Sequence, residues 1–215
     1  MEKFSTKLAL FTSYVLHPLF MPTIGLLTAY FVGSVPGFNP YSTEHDKDIA
    51  YFVLFAVFIA TGILPVIIAI VLKQTKLISS IHMPKKEERS LPFLLTSMCY
   101  YGVFYYLNSY LELPIDKLIS YFILAGVLAT ILGFMITLSW KISVHMIGIG
   151  GIVGILTVLS KVGDEVLILP LSTSIIIAGL VAFGRLQLNA HNPKQVVAGF
   201  FLGFFCEILG LLVAS

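Results

Sequence analysis

Charged residues are scarce in this chain. Of its 215 residues only 11% are Asp, Glu, Lys or Arg, whereas about a quarter are charged in an average soluble domain. Because 58% of the residues are hydrophobic, a water-soluble globular protein is excluded, and we expect an integral protein of the plasma membrane. The formal net charge of +2 is too small to favour a nucleic-acid partner, so none is expected.

Cysteine is also rare. Cys99 and Cys206 are the only two, and they lie in different apolar runs. Two isolated cysteines indicate neither a disulfide nor a metal site, and no cofactor is expected. The first apolar run is too long for the hydrophobic region of a signal peptide, so we interpret it as a first membrane helix.

Long hydrophobic runs, by contrast, fill most of the sequence. About 20 apolar residues are needed to cross the hydrocarbon core of a bilayer, and most of the runs approach that length. The first run is interrupted by His17, Pro18 and Pro22, which predict a bend that we interpret as a packing feature rather than part of a site. We predict an all-α fold in a single membrane domain over residues 1–215, a bundle of six to seven transmembrane helices built from the runs 8–32, 49–72, 93–110, 118–140, 146–160, 166–183 and 196–213.

A polar stretch at residues 184–199 separates the last two apolar runs. It reads GRLQLNAHNPKQVVAG and places cationic, amide and imidazole groups at a membrane boundary. Asn192, Pro193 and Gln195 are typical of a helix start, with Asn as the N-cap, Pro at the first helical position and Gln reaching back to the cap. His191 then lies just before the positive end of a helix. Backbone N–H groups and the helix dipole favour an anion there.

Two further polar clusters have a similar placement. The stretch 139–145 carries Ser143 and His145, and the loop 73–92 carries Lys85, Lys86 and Arg89. Each cluster is separated from the next by two apolar passes, so we expect all three on one face of the membrane. Taken alone, the basic loop is interpreted as an ordinary anchor for its flanking helices.

The stretch 184–199 resembles the third signature of the type 2 phosphatidic acid phosphatase (PAP2) superfamily. That signature is Ser-Arg, five residues, His, three residues, Asp. Arg185 and His191 have the matching spacing, whereas Gly184 stands at the Ser position and Gln195 at the Asp position. The resemblance implies a PAP2-like helix bundle with a core at about residues 73–213.

The other two clusters match the family less closely. Ser143 and His145 correspond to the Ser and His of the second signature, Pro-Ser-Gly-His, while Ile142 and Val144 replace its Pro and Gly. The basic loop has the residue types of the first signature, Lys, six residues, Arg-Pro, but a different spacing. The order of the three clusters along the chain is the same as in the family.

The resemblance also implies a reaction. The protein is expected to hydrolyse a phosphate monoester or diphosphate of a lipid or polyprenyl substrate, with His191 attacking phosphorus to form a phosphohistidine. His145 would protonate the leaving group and then activate water, and Gln195 would orient the nucleophile. The phosphate would be bound by Lys85, Lys86, Arg89, Ser143 and Arg185.

Gln195 leaves alternatives open. Gln can accept a hydrogen bond from the nucleophile but brings no negative charge, and a comparable Asp-to-Asn change in a serine protease costs about 10⁴ in rate. Either Glu87 or Glu88 supplies the missing carboxylate, or the protein binds a phosphorylated lipid without cleaving it. A small transporter, with Glu207 and His17 as its intramembrane polar groups, is a third interpretation.

Glycine spacing predicts close contacts between membrane helices. Gly150 and Gly154, and again Gly199 and Gly203, have the small-xxx-small pattern that lets helix backbones approach. Glu207 follows Gly203 by four residues, so we expect it to face the interior of the bundle rather than lipid.

Charge placement does not decide which face carries the three clusters. With seven passes, ten of the thirteen cations lie on their face, which the positive-inside rule would place in the cytoplasm. Six of those ten cations belong to the clusters themselves. Without them, four cations lie on that face and three on the other, a difference too small to decide the orientation. Most phosphatases of the resembled family act on the outer face, so the orientation, like the head group, the tail and the oligomeric state, stays open.

Overall fold

The computed structural model describes residues 2–31, 44–81, 83, 87–111, 117–162 and 167–214. These residues form helices and contain no strand, which confirms the predicted all-α fold. Short 3₁₀ turns lie at Pro18–Phe20 and Glu87–Arg89, and π-helical turns lie at Phe58–Ile63 and Tyr106–Tyr110. The α-helices are α1 Glu2–Val15, α2 Met21–Phe31, α3 Glu44–Val57, α4 Leu64–Gln74, α5 Ser90–Tyr105, α6 Lys117–Ser139, α7 Val144–Val162, α8 Ile168–Gln187 and α9 Pro193–Ala214.

Six helical segments of the described chain are long and apolar enough to cross a membrane. They are Phe4–Tyr30, Lys47–Gln74, Lys117–Ser139, Val144–Lys161, Ile168–Gln187 and Pro193–Gly210. The protein is therefore an integral membrane protein with a polytopic bundle, as predicted. The seventh predicted run, 93–110, is helical but is not one of these six, because its several tyrosines and Asn108 lower its mean hydropathy.

Helix α7 lies at the centre of the bundle and packs against α2, α6, α8 and α9. Its residues 146–156 are all apolar or glycine, the pattern of a helix segment that is buried all round. Ile149, Ile155, Leu156 and Leu159 are almost fully buried in the main core. The position of α7 matters for the site because His145 is its second residue.

Helices α7 and α9 approach closely through the predicted glycines. Gly203 of α9 lies against the backbone carbonyl of Ile147, and a Cβ on Gly154 of α7 would lie only 2.8 Å from the carbonyl oxygen of Phe204. Since no side chain separates the two backbones, the small-xxx-small prediction is confirmed. From Gly199 to Gly203 on α9, the residues of α7 that they contact also move toward the C-terminus of α7. The two helices are therefore parallel and begin at the same end of the bundle.

The first candidate span is bent where the sequence predicts a bend. α1 ends at Val15, and His17 caps the 3₁₀ turn that begins at Pro18, its Nδ1 accepting a hydrogen bond from the backbone N–H of Leu19 at 3.4 Å. α1 packs antiparallel to the end of α8 at Gly184. A Cβ on Gly184 would lie 2.8 Å from Thr12 Oγ1, so the glycine at the signature's Ser position permits this contact.

Candidate functional site

One cavity of about 390 Å³ connects the ends of several helices with the interior of the bundle. One end of the cavity is polar. The rest of its wall comes largely from α2 to α7 and is apolar, apart from a few hydroxyl-bearing residues and Glu207. The polar end is lined by basic and imidazole side chains. They come from the first span, the loop before α5, the start of α7, the end of α8 and the loop before α9, and are His17, Arg89, His145, Arg185 and His191 in that order. The structure thus brings together four of the predicted site residues from distant parts of the chain.

His191 is held by the start of α9. Gln195 N–H donates to Asn192 Oδ1 at 3.0 Å and Asn192 N–H donates to Gln195 Oε1 at 3.2 Å, which confirms the predicted helix start. The same Oε1 lies 3.1 Å from His191 Nδ1. Because an amide oxygen can only accept, His191 Nδ1 carries the proton and Nε2 carries the lone pair. Gln195 therefore orients His191, as predicted, and leaves its Nε2 able to act as a nucleophile.

His145 lies in the first turn of α7. Its Nε2 is 3.1 Å from the backbone carbonyl oxygen of Ser13, to which it must donate, so Nδ1 carries the lone pair of the neutral ring. The His17 ring meets it edge to face, with 5.4 Å between ring centroids. The bend in the first span places His17 in the cavity wall. The sequence feature that could have indicated this position of His17 is a histidine next to a proline inside an apolar run.

Both arginines at the polar end are fixed by hydrogen bonds. Arg185 Nη1 donates to Ser13 Oγ at 3.1 Å, and Arg89 Nε donates to the Met83 carbonyl oxygen at 2.8 Å. Arg185 Nε is buried and has no partner among the described residues. Burial lowers the pKa of Arg89 from its usual value. Two guanidinium groups held in place, one with an unsatisfied N–H, are suited to bind an anion.

The cations at the polar end act on one another and on His191. The pKa of Lys141, a cation of the cluster at residues 139–145, is lowered by burial and then by the charges of Arg89 and Arg185. The pKa of His191 is lowered to about 4, first by burial and then by Arg185, Lys141 and Arg89, against the opposing effect of the hydrogen bond to Gln195. His191 is therefore neutral near pH 7, in a region of positive potential.

Three predictions for the phosphate-binding set have different outcomes. Ser143 is fully buried and does not line the cavity, and its Oγ has no hydrogen-bond partner among the described residues. Its backbone carbonyl oxygen lies against Gly199 of α9, 2.5 Å from the position of a Cβ. A direct hydrogen bond from Ser143 to a phosphate in the cavity is thus not supported. Lys85 and Lys86 lie outside the described residues.

Among the described residues, no carboxylate forms a hydrogen bond with His191. Glu88 Oε1 accepts a hydrogen bond from the backbone N–H of Ser79 at 3.2 Å, and Glu87 is exposed. His191 Nδ1 already has Gln195 as its partner. Neither Glu87 nor Glu88 is the hydrogen-bond partner of His191 in this arrangement, and a catalytic role for either stays a prediction.

Helix ends add to the positive character of the site. α7 and α9 are parallel, and their N-termini, with His145 and His191 beside them, lie at the polar end of the cavity. Backbone N–H groups at helix N-termini favour anions. The apolar wall beyond suits a hydrocarbon chain. The arrangement can therefore bind an anionic head group with an apolar tail.

Comparison of the chain with protein-family models, with curated proteins and with solved structures found no match in any of the three. The resemblance to the PAP2 superfamily stays a prediction from the motifs.

Proposed function

We propose that this protein is a membrane phosphatase that hydrolyses a phosphate monoester or diphosphate of a lipid or polyprenyl substrate through a phosphohistidine. One observation carries the proposal: His191, with Nε2 deprotonated, shares the polar end of a cavity with Arg89, His145 and Arg185. A nucleophile, a second imidazole and two cations are the groups that phosphoryl transfer through a covalent intermediate needs.

The geometry supports a two-step reaction. Arg185 and Arg89 bind the phosphate oxygens, and His191 Nε2 attacks phosphorus, so that a P–N bond forms while the P–O bond to the lipid breaks. His145 Nδ1, which carries a lone pair in the resting site, takes up a proton from solvent when the anionic phosphate binds beside it, and it gives that proton to the departing oxygen. It then takes a proton from water, whose oxygen attacks phosphorus, breaks the P–N bond and releases inorganic phosphate. Gln195 Oε1 accepts the Nδ1–H of His191 in both steps.

Phosphate release is the test of this proposal. Detergent-solubilised protein is given phosphatidate, phosphatidylglycerol phosphate and a polyprenyl diphosphate, each labelled on the transferred phosphate. We expect release from at least one of them, together with labelled protein whose phosphate is stable in base and lost in acid, as a P–N bond is. Absence of both release and labelled protein with every substrate would contradict the proposal.

A non-catalytic lipid-binding protein is the second candidate, and the neutral side chain of Gln195 favours it. A carboxylate at this position would stabilise the positive charge that His191 gains on phosphorylation, whereas an amide oxygen stabilises it less. The cavity and its cations would serve binding equally well. The two candidates differ in what changes at Gln195 do.

Substitutions of Gln195 separate these candidates. Gln195→Leu removes the acceptor for His191 Nδ1 and for Asn192 N–H, so an active enzyme is expected to lose about 10²-fold or more in release rate. Gln195→Glu keeps the chain length and an acceptor oxygen and adds a charge, so release should rise about tenfold. Initial rates of phosphate release measure both effects.

Two results would change this interpretation. If wild-type protein releases nothing and Gln195→Glu does, the chain is a binding protein that has kept a nearly catalytic site. If Gln195→Leu keeps the full rate of an active wild type, the hydrogen bond to His191 has no part in the reaction.

A further inference from the structure

His17 lies at the polar end of the cavity but has no part in the proposed reaction. Of the imidazoles that the described residues place there, the reaction uses His145 and His191. His17 belongs to the first span, outside the PAP2-like core predicted at about residues 73–213 and outside the three polar clusters. Its ring lies beside that of His145, with 5.4 Å between the ring centroids. What His17 can do there depends on which of its nitrogens is able to reach a ligand.

The 3₁₀ turn that follows His17 fixes the tautomer of its ring. His17 Nδ1 accepts a hydrogen bond from the backbone N–H of Leu19 at 3.4 Å, so Nδ1 carries the lone pair. The proton of the neutral ring is then on Nε2, which is the ring nitrogen farther from the backbone. A proton on Nδ1 would break the bond to Leu19, so this bond favours the neutral ring. His17 is therefore a neutral N–H donor.

Backbone contacts hold His17 next to His145. Pro18 packs against Gly148 of α7, where a Cβ would lie 3.6 Å from Pro18 Cα. Gly148 follows His145 by three residues, which is about one helical turn. Ser13, four residues before His17, accepts the Nε2–H of His145 through its carbonyl oxygen. The first span thus contacts the start of α7 both before and after His17, and this fixes the position of the ring.

The Nε2–H of His17 is left for a ligand. Among the residues that the structure describes, none accepts a hydrogen bond from it. Glu207 is the only acid among the described residues of the cavity wall, and it lies in the bundle interior as predicted, with 4% of its surface exposed. No hydrogen bond joins it to His17, and its Oε2 is without a partner in the described part of the chain. An N–H donor that has no protein acceptor and lies among cations is suited to an oxygen of an anion.

A phosphate at this site would lack the hydrogen bond that the resemblance assigned to Ser143, whose side chain does not line the cavity. A phosphate group offers several strong acceptor oxygens. Arg89 and Arg185 can each bind some of them, although each already donates one N–H to the protein. A further cation would repel both arginines, whereas the neutral N–H of His17 adds a donor without adding charge.

We propose that His17 is a phosphate-binding residue, whose Nε2–H donates to a non-bridging oxygen of the substrate's phosphate in place of the hydrogen bond that the resemblance assigned to Ser143. This inference rests on the proposed function for the identity of the anion. The first span is then part of the binding site as well as a support for α7 and α8. His17 takes no part in proton transfer, which is the role of His145.

Binding of inorganic phosphate tests the inference without any turnover. The purified full chain in detergent is titrated with inorganic phosphate in a calorimeter. His17→Asn keeps an oxygen that can accept from the Leu19 N–H, since Asn is among the best N-cap residues, but its amide is too short to reach the position of Nε2. We expect this variant to bind phosphate about tenfold more weakly or worse, the effect of losing one hydrogen bond to a charged group.

His17→Gln is the variant that should restore binding. Its side-chain amide places an N–H donor at a distance from the backbone similar to that of Nε2, so its phosphate affinity should stay within about threefold of wild type. Gln is a poorer N-cap residue than Asn. Weak binding by His17→Asn together with near-normal binding by His17→Gln is thus a pattern that a purely structural role of His17 would not produce.

Phe20→Leu is the matched control for packing at the same turn. The Phe20 ring meets that of His17 with 6.3 Å between centroids and packs against Gly62, but it does not line the cavity. The substitution loosens the packing around His17 and removes no hydrogen-bonding group, so phosphate affinity should change by no more than about twofold. Thermal unfolding in detergent shows that each variant is folded before it is titrated.

Four results would overturn the inference. The first is an unchanged phosphate affinity in His17→Asn, and the second is a loss in His17→Asn that His17→Gln does not restore. The third is an equal loss in Phe20→Leu, which would assign the effect to packing. The fourth is the absence of phosphate binding by the wild-type protein.

Failure of this inference and failure of the proposed function give different results. Phosphate binding that depends on His17, in a protein that releases no phosphate from any lipid of the panel, would keep His17 in the binding site and exclude the phosphatase. Phosphate release by a protein whose phosphate affinity does not depend on His17 would keep the phosphatase and exclude His17 from the site.

Discussion

His191→Ala is expected to lower the rate of phosphate release by about 10³-fold or more in a protein that still folds and inserts. The reason is that Nε2 of His191 is the atom expected to bond to phosphorus, whereas His145, the other imidazole of the proposed reaction, is expected to serve as its acid and base. The same substitution should abolish the base-stable protein phosphate. Initial rates with the best substrate of the panel, together with protein labelling, measure the effect.

Lys194→Ala is the matched control for this experiment. Lys194 lies three residues from His191 at the same membrane boundary but is exposed and does not line the cavity. Its removal should change release by no more than about twofold, since exposed charges act weakly across solvent. Full activity of His191→Ala would show that the assignment of the nucleophile is wrong. Equal losses in both variants would indicate a general effect of charge or folding at this boundary.

Gly203→Ala is expected to destabilise the protein by about 3 kcal/mol or more and to reduce phosphate release with it. A Cβ at this position overlaps the carbonyl group of Ile147 and lies 2.9 Å from the backbone nitrogen of Gly151. Backbone atoms of a central helix cannot move aside as a side chain can. α7 and α9 would separate, and His145 would move relative to His191. Thermal unfolding in detergent should show a midpoint lower by about 5 °C or more.

Gly179→Ala provides the comparison for Gly203→Ala. Gly179 lies in the interior of α8, and a Cβ there meets nothing within 4 Å. Alanine is a better helix former than glycine by up to about 1 kcal/mol, so this variant should be as stable as wild type or slightly more stable. An equally stable Gly203→Ala protein would mean that α7 and α9 are not in backbone contact.

Local patterns in the sequence predicted several features of the site. The helix start at Asn192, Pro193 and Gln195 could be predicted because an N-cap, its proline and its returning side chain lie within four residues and depend on no distant contact. The same applies to the hydrogen bond between Gln195 and His191, four residues apart. The small-xxx-small glycines likewise identified the faces of α7 and α9 that meet.

Contacts between distant parts of the chain were harder to predict. Ser143 matched a family motif, yet its side chain is buried away from the cavity. Ser13 was not singled out, although its hydroxyl accepts from Arg185 and its carbonyl from His145. A serine in an apolar helix has no local feature that would indicate such a role. The two hydrogen bonds that Ser13 accepts depend on how α1 packs against its neighbouring helices, which no short sequence pattern encodes.

The amino-acid sequence alone was sufficient to predict an all-α integral membrane protein and three polar clusters at membrane boundaries, because hydrophobic length and helix-capping chemistry are local properties. The place of His17 in the cavity wall, the burial of Ser143 and the lack of a hydrogen-bond partner for Glu207 Oε2 among the described residues became known from the tertiary structure. Each depends on which helix faces meet and how closely, and that is set by contacts between residues far apart in the chain.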